Sequence, residues 1–226
     1  MSQPSDFDSF TPLHIDTALS LRAVAPDDAV ALAAFVDDNR VHLSVFLSDL
    51  TDEITDVTSA ERHLADVLDL RLHKLLLEMH IWDGARLCGA VRLRDIDWQH
   101  RNAKIGYLLG ASEQGRGVIT RVLTTFLAWA FDELQMHRIE LRCDPRNAPS
   151  IAVAKRLGFT CEGIARGVER HGAHPWSERA HARSGAHPWS ERAHARSGAH
   201  PWSERAHARS EARYDDVMIF ARLCTD

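Results

Sequence analysis

Between Gly106 and Val118 the chain reads GYLLGASEQGRGV, a short apolar stretch that enters a loop with glycines at 115 and 117 and leaves it as an apolar segment. Such a turn does its chemistry with the main chain. Glycine admits conformations that gather N–H groups, and a helix that follows adds the positive end of its dipole, which together suit a pyrophosphate. Arg116 adds a full charge. The Lys-Ser/Thr of a P-loop is missing, and two glycines also serve in plain strand-to-helix turns, so both readings stand on these residues alone.

A second stretch, Arg138 to Phe159 (RIELRCDPRNAPSIAVAKRLGF), runs from a strand pattern to Asn147, then to a helix carrying Ser150 and ending at a Gly-Phe step. Asn147 before Pro149 also reads as a turn or cap residue, and Ser150 as a first-turn residue that satisfies backbone donors. Cys143 is a thiol that could in principle carry an acyl group, although burial in a strand is the ordinary fate of such a cysteine. Glu169, between Arg166 and Arg170, reads locally as a solvated charge partner.

The elements that must hold these residues follow from periodicity. Leu19–Ala23 reads as a strand, followed by a helix from about Pro26 to Asp37 with proline in its first turn. Thr58 and Glu61 have capping-box spacing, and Leu64, Val67, Leu68 and Leu72 recur at helical intervals, so a second helix runs to about His73. Strands at Leu75–Trp82 and Arg86–Arg94 flank Asp83-Gly84, a dipeptide favoured in tight hairpin turns. Ala103–Leu109 is a further strand, and a helix covers about Val118 to Leu134. A strand at Arg138–Cys143, a helix at Pro149–Leu157 and strands near Thr160 and Asp216 complete the pattern. The order is α/β (α+β).

Gly172 to Ser184 (GAHPWSERAHARS) recurs unchanged at Gly185 to Ser197 and again at Gly198 to Ser210. Each copy has little apolar content beyond Ala and one Trp, and its His-Pro step opposes a helix, so the expectation is a flexible insert, residues 172–210, within a single domain spanning 1–226. Each copy pairs two histidines, as in His174 and His181, at a spacing that is not a closed zinc pattern, and no metal is expected. Trp176, Trp189 and Trp202 read as exposed or loosely packed aromatics.

The net charge of −5 and the absence of a Lys/Arg-rich run argue against nucleic acid as a partner. No apolar run approaches the roughly 20 residues of a membrane-spanning helix, and no membrane role is expected. The four cysteines are widely spaced, with no CxxC pair, and the N-terminus has neither a basic nor an apolar leader region. The compartment read from this is reducing and cytoplasmic.

Taken together, QGRGV, NAPSIAVAKRLGF and CEGIARGVE resemble the acetyl-CoA motifs of the GNAT superfamily of N-acetyltransferases. The opening LSLRAVAPDDAVAL and the closing YDDVMIFARL are similar to its RimJ/RimL group, in particular the ribosomal-protein-serine N-acetyltransferases. The repeat falls where that group has only a short connection. The resemblance implies a mixed, mostly antiparallel twisted sheet of about seven strands flanked by helices and splayed around acetyl-CoA. It implies that Leu108 and Leu109 offer backbone groups to the pantetheine arm, that Gln114, Gly115, Arg116, Gly117, Val118 and Ile119 cradle the pyrophosphate, and that Asn147 and Ser150 contact the cofactor from the other side. Ser150 would be the acid or hydrogen-bond donor to the leaving thiolate. Glu169 would be the base that deprotonates the amine, in a direct attack within a ternary complex. The implied acceptor is a protein N-terminus. A small amine, or a non-catalytic acyl-CoA-binding role, is the alternative, and the resemblance is compatible with a homodimer.

Overall fold

The computed structural model describes residues 12–170 and 214–226. Strands β1 (Leu13–His14), β2 (Leu19–Ala23), β3 (Leu76–Asp83), β4 (Arg86–Asp97), β5 (Asn102–Leu109), β6 (Arg138–Cys143), β7 (Thr160–Arg170) and β8 (Tyr214–Leu223) form one sheet in the order β1-β2-β3-β4-β5-β6-β8-β7. Every neighbouring pair is antiparallel except β5–β6. The expected mixed, mostly antiparallel sheet is therefore present, with eight strands rather than about seven.

Two-residue periodicity divides the core. Leu77, Met79, Ile81, Val91, Leu93 and Ile105 point to one face, where they pack on helices α4 (Val118–Asp132) and α5 (Ala148–Arg156). The other face, with Leu76, Trp82, Ala90 and Leu108, is covered by α1 (Ala29–Leu43) and α3 (Val57–Leu72). Helix α4 is the most apolar of these because it lies deepest, with Val122, Leu123, Phe126, Leu127 and Ala130 all inaccessible to solvent.

The sequence boundaries shift in three places. The first helix begins as a 3-10 turn at Pro26–Asp28 and continues as α1 to Leu43, because the polar run Asp37-Asp38 marks its solvent face and not its end. The cap of α3 is Asp56 rather than Thr58: its carboxylate accepts the Ser59 N–H at 2.7 Å, and the Ser59 hydroxyl oxygen accepts the Asp56 N–H at 2.9 Å. The same four-residue spacing occurs two positions earlier than expected. In the β3–β4 hairpin Asp83 is itself paired with Arg86, so the turn is Gly84-Ala85, and only Gly84 takes positive φ, at 59°. A short helix, α2 (Ser48–Glu53), was not foreseen: at one and a half turns it is too short to show a period.

The repeat at 172–210, with its histidines and tryptophans, lies outside the described residues. Arg170 and Tyr214, at the ends of β7 and β8, pair across it.

Candidate active site

β5 and β6 are paired only from Asn102–Ile105 to Arg138–Leu141. Beyond that point β5 stays on β4 as far as Leu109↔Gly89, while β6 stays on β8 as far as Cys143↔Met218. The two strands thus separate at their C-terminal ends, leaving the β6-facing main chain of Gly106–Leu109 available to a ligand. On the other side of β5, Gly89 lets β4 approach closely, since a Cβ there would stand 2.3 Å from the Leu108 carbonyl oxygen. Leu108 and Leu109 are nearly buried, packing on opposite faces of the sheet, and both border the cleft.

At the mouth of the cleft the chain turns through Gly115 (φ 71°) and Gly117 (φ 70°) into α4. Gly117 is the N-cap, has no side-chain cap, and accepts the first helical bond from Arg121 N at 3.2 Å. The N–H groups of Val118, Ile119 and Thr120 therefore precede the helical ladder and face outward as a set of donors at the positive end of the dipole. The side chains of Val118 and Ile119 go into the core, so only their main chain serves a ligand. Gln114 donates from Nε2 to His42 Nε2 at 3.0 Å, tying the loop to α1.

Arg116 pairs with Glu113, which sequence reasoning passed over. The Glu113 carboxylate is buried and receives Arg116 at 2.6 Å, Arg86 at 2.7 Å and Ser112 at 3.0 Å. Burial pushes this carboxyl up, but the Arg86 bond, aided by Ser112 and Arg116, outweighs it and holds the group below the usual carboxylate range. Glu113 also lies close to Asp83 and Cys88 in an arrangement of metal-ligand type, but Arg86, 3.4 Å from Asp83, already supplies the positive charge there.

On the opposite wall Asn147 caps α5, its Oδ1 accepting the Ser150 N–H at 3.1 Å. The cap and the cleft position coexist, because Asn147, Pro149 and Ser150 all border the opening. Ser150 Oγ is 2.9 Å from the hydroxyl of Tyr107, a residue inside GYLLG whose role the sequence did not reveal. Burial pushes the Tyr107 phenol up to about 12, against a smaller opposing effect of the Ser150 bond, so it stays protonated near neutrality. Cys143 is buried at the end of β6 and also borders the cleft.

The main chain of Glu169 is opposite Asp215 on β8, after an irregularity between Ala165 and Glu169 where Gly167 takes φ 61° and donates to Asp216 at 3.0 Å. Its neighbours Val168 and Asp215 border the cleft. The Glu169 side chain lies outside the described residues. Much of the remaining wall is made by the end of α1, the start of α2 and Val45, Phe46 and Leu47 between them, together with His63 from α3 and Arg92 from β4, none of which was singled out from the sequence. They come from four elements, and no local pattern links them.

Comparison with known proteins adds the following. The family described as "Acetyltransferase (GNAT) domain" matches residues 18–160. The putative ribosomal N-acetyltransferase YdaF of Bacillus subtilis is 37% identical over 95 residues, covering 42% of this chain and 51% of that protein. A spermidine N(1)-acetyltransferase of Escherichia coli is 29% identical over 105 residues, covering 44% of this chain and 54% of that protein. The chain thus spans about half the length of the curated relatives it matches. In structure it is similar to RimL, a ribosomal L7/L12 alpha-N-protein acetyltransferase solved with coenzyme A, with a TM-score of 0.71 at 21% identity over 94% of this chain and 98% of that one.

Proposed function

The chain belongs to the GNAT acetyltransferase family, and from that membership we propose that it transfers acetyl from acetyl-CoA to a primary amine, the α-amine of a protein N-terminus of ribosomal-protein type. The observation that carries the reading is the parting of β5 from β6 above a glycine turn that opens α4 without a side-chain cap. A thioester with a pantetheine arm and a pyrophosphate fits that pair of features: the arm takes main-chain bonds along Gly106–Leu109, and the pyrophosphate takes the N–H groups of Gly115 to Thr120. Acetyl-CoA supplies an activated acyl carbon and a thiolate leaving group.

The chain's own residues then orient and polarise. Backbone donors on β5 fix the thioester against the acceptor wall, so that much of the rate gain comes from positioning. The amine attacks the acyl carbon, the C–N bond forms, and the C–S bond breaks with its electron pair going to sulfur. Ser150 meets the departing sulfur with its hydroxyl, which leaves its oxygen to accept from the Tyr107 hydroxyl 2.9 Å behind it. An ammonium must lose a proton before it can attack, since an α-amine has a pKa of about 7.7–8.0. The resemblance gives that task to Glu169. The four cysteines are free, as a reducing cytoplasm would leave them.

Calorimetric titration of acetyl-CoA into the full chain, followed by CoA-release assays with N-terminal peptides and polyamines, tests the reading. Micromolar binding with turnover of the peptides is the expected result. Turnover confined to polyamines would move the acceptor to the class named by the spermidine-acetylating relative, and binding with no turnover on any amine would leave only an acyl-CoA-binding module.

A further inference from the structure

Two consecutive residues near the end of α1 reach in different directions. Asn39 Nδ2 donates to the Phe35 carbonyl oxygen one turn back, at 2.8 Å, and its Oδ1 accepts the Ala111 N–H, also at 2.8 Å. The first bond fixes which way the amide points. The second therefore falls on a set place, the step from the end of β5 into the loop before α4. Gly110, at that step, donates to the Cys88 carbonyl oxygen at 2.8 Å, and a Cβ on it would stand 3.3 Å from both Asn39 Oδ1 and the Phe35 ring. Phe35, Asn39 and His42 share one face of α1 by their spacing, and His42 adds its bond to Gln114. That face holds residues 110–114, which lead into the glycine turn.

Arg40 turns instead to α2. Its guanidinium donates to the carbonyl oxygen of Thr51 and, at 3.1 Å, to that of Ile54. These carbonyls lie at the end of α2, where a helix runs out of N–H partners. A helix of six residues has little stability of its own, so this support matters. Ser48, Asp49, Leu50 and Glu53 of α2 border the cleft, as do Val45, Phe46 and Leu47 before them. Leu47 and Leu50 pack with α1 and α3, on the face of the sheet opposite α4 and α5. The features that suit acetyl-CoA lie with α4 and α5, which leaves this wall to the acceptor amine.

We propose that Asn39 and Arg40 are positioning residues for the two substrates, Asn39 for acetyl-CoA through residues 110–114 and Arg40 for the acceptor through α2. One turn of α1 then sets how the amine and the thioester meet. The inference rests on the amine-acetylation reading and goes beyond it by naming the residues that hold its two sides. Neither residue touches a reacting atom. Both act through main chain that they anchor, and small displacements of either substrate are costly in a direct transfer.

The test is a split in substrate dependence in the full chain, with coenzyme A for calorimetry and, for kinetics, the N-terminal peptide or polyamine that the wild-type chain acetylates. Asn39→Ala is expected to weaken coenzyme A binding and raise KM for acetyl-CoA by about 10-fold, the scale of one lost hydrogen bond, and to leave KM for the acceptor unchanged. Arg40→Met keeps the length of the side chain and neither donor. It is expected to raise KM for the acceptor by about 10-fold with coenzyme A affinity unchanged, and Arg40→Lys should recover part of that loss. A general loss of stability moves both substrates together, so a rise in both KM values in either variant overturns the proposal, as does no change in either. Amide hydrogen exchange reads the anchoring without turnover. Asn39→Ala is expected to speed exchange at Ala111 and spare α2, Arg40→Met to speed it from Leu50 to Ile54 and spare Ala111, and one common pattern in both variants overturns the assignment. A wild-type chain that binds no coenzyme A or acetylates no amine defeats the functional reading, while the exchange pattern still decides whether Asn39 and Arg40 hold these two segments.

Discussion

Tyr107 and Ser150 approach each other from β5 and α5, and their 2.9 Å bond gives a serine hydroxyl a fixed direction that its free rotor would otherwise lack. A thiol of ordinary pKa, about 8.5, is far more acidic than this phenol, so the pair stabilises a departing thiolate by hydrogen bonding and has no driving force to protonate it fully. Tyr107→Phe is therefore expected to lower kcat by about 10-fold, the scale of one lost donor, with KM for acetyl-CoA little changed and the alkaline side of the pH profile unmoved. Steady-state kinetics check this, and Tyr107→Phe added to Ser150→Ala should cost almost nothing more. Glu113 is a second residue with a readable signature. Its folded pKa is depressed, so its stabilising contribution is present above the unfolded value of about 4.3 and is lost as pH falls through the folded value. Arg86 and Arg116 are half exposed, so solvent screens part of the gain. Glu113→Gln is expected to cost about 1–2 kcal/mol at neutral pH and to flatten the acid side of a Tm-against-pH curve. The motif around Glu113 was legible in the sequence, but its acid was not, because its partner Arg86 comes from the other side of a hairpin and a loop.

At the scale of elements, the cleft depends on where hydrogen bonding between β5 and β6 stops. Nothing in Gly106–Leu109 or Arg142–Cys143 states that they do not pair. The one glycine that holds β5 in place there sits on the neighbouring strand, where the bare Cα of Gly89 lies against the Leu108 carbonyl. Gly89→Ala is expected to displace β5 and weaken acetyl-CoA binding by at least 10-fold, with a loss of about 2 kcal/mol in stability, in the range for overpacking a core. Calorimetry and thermal denaturation read the two effects. Local patterns did place β2, β6, α4 and α5 to within about two residues, since each is long enough for its period to repeat and ends at glycine, proline or a capping side chain. They failed for α2, which is shorter than the period needed to detect it, and at the start of α3, where Asp56–Ser59 and Thr58–Glu61 offer the same spacing and only packing chooses between them.

For the whole molecule, we propose that the repeat is an addition to the domain, since β7 and β8 pair on either side of it. Arg170 faces Tyr214, so removing Gly172–Ser210 leaves His171, Glu211, Ala212 and Arg213 to join β7 to β8, a common hairpin loop length. Shortening the connection lowers its closure entropy, and the deleted chain is expected to gain up to about 2 kcal/mol, seen as a Tm raised by a few degrees with acetyl-CoA affinity unchanged. A fall in Tm or in affinity would make the repeat part of the working domain. The sequence by itself determined the alternation of strands and helices, the glycine turn into α4 and the Asn147–Ser150 start of α5, because each is a contract between residues within a few positions of one another. Only the tertiary structure decided the parting of β5 from β6 and the Tyr107–Ser150 bond. Those contacts join residues dozens of positions apart, and two-residue and 3.6-residue periods report which face a side chain takes but not what stands opposite it.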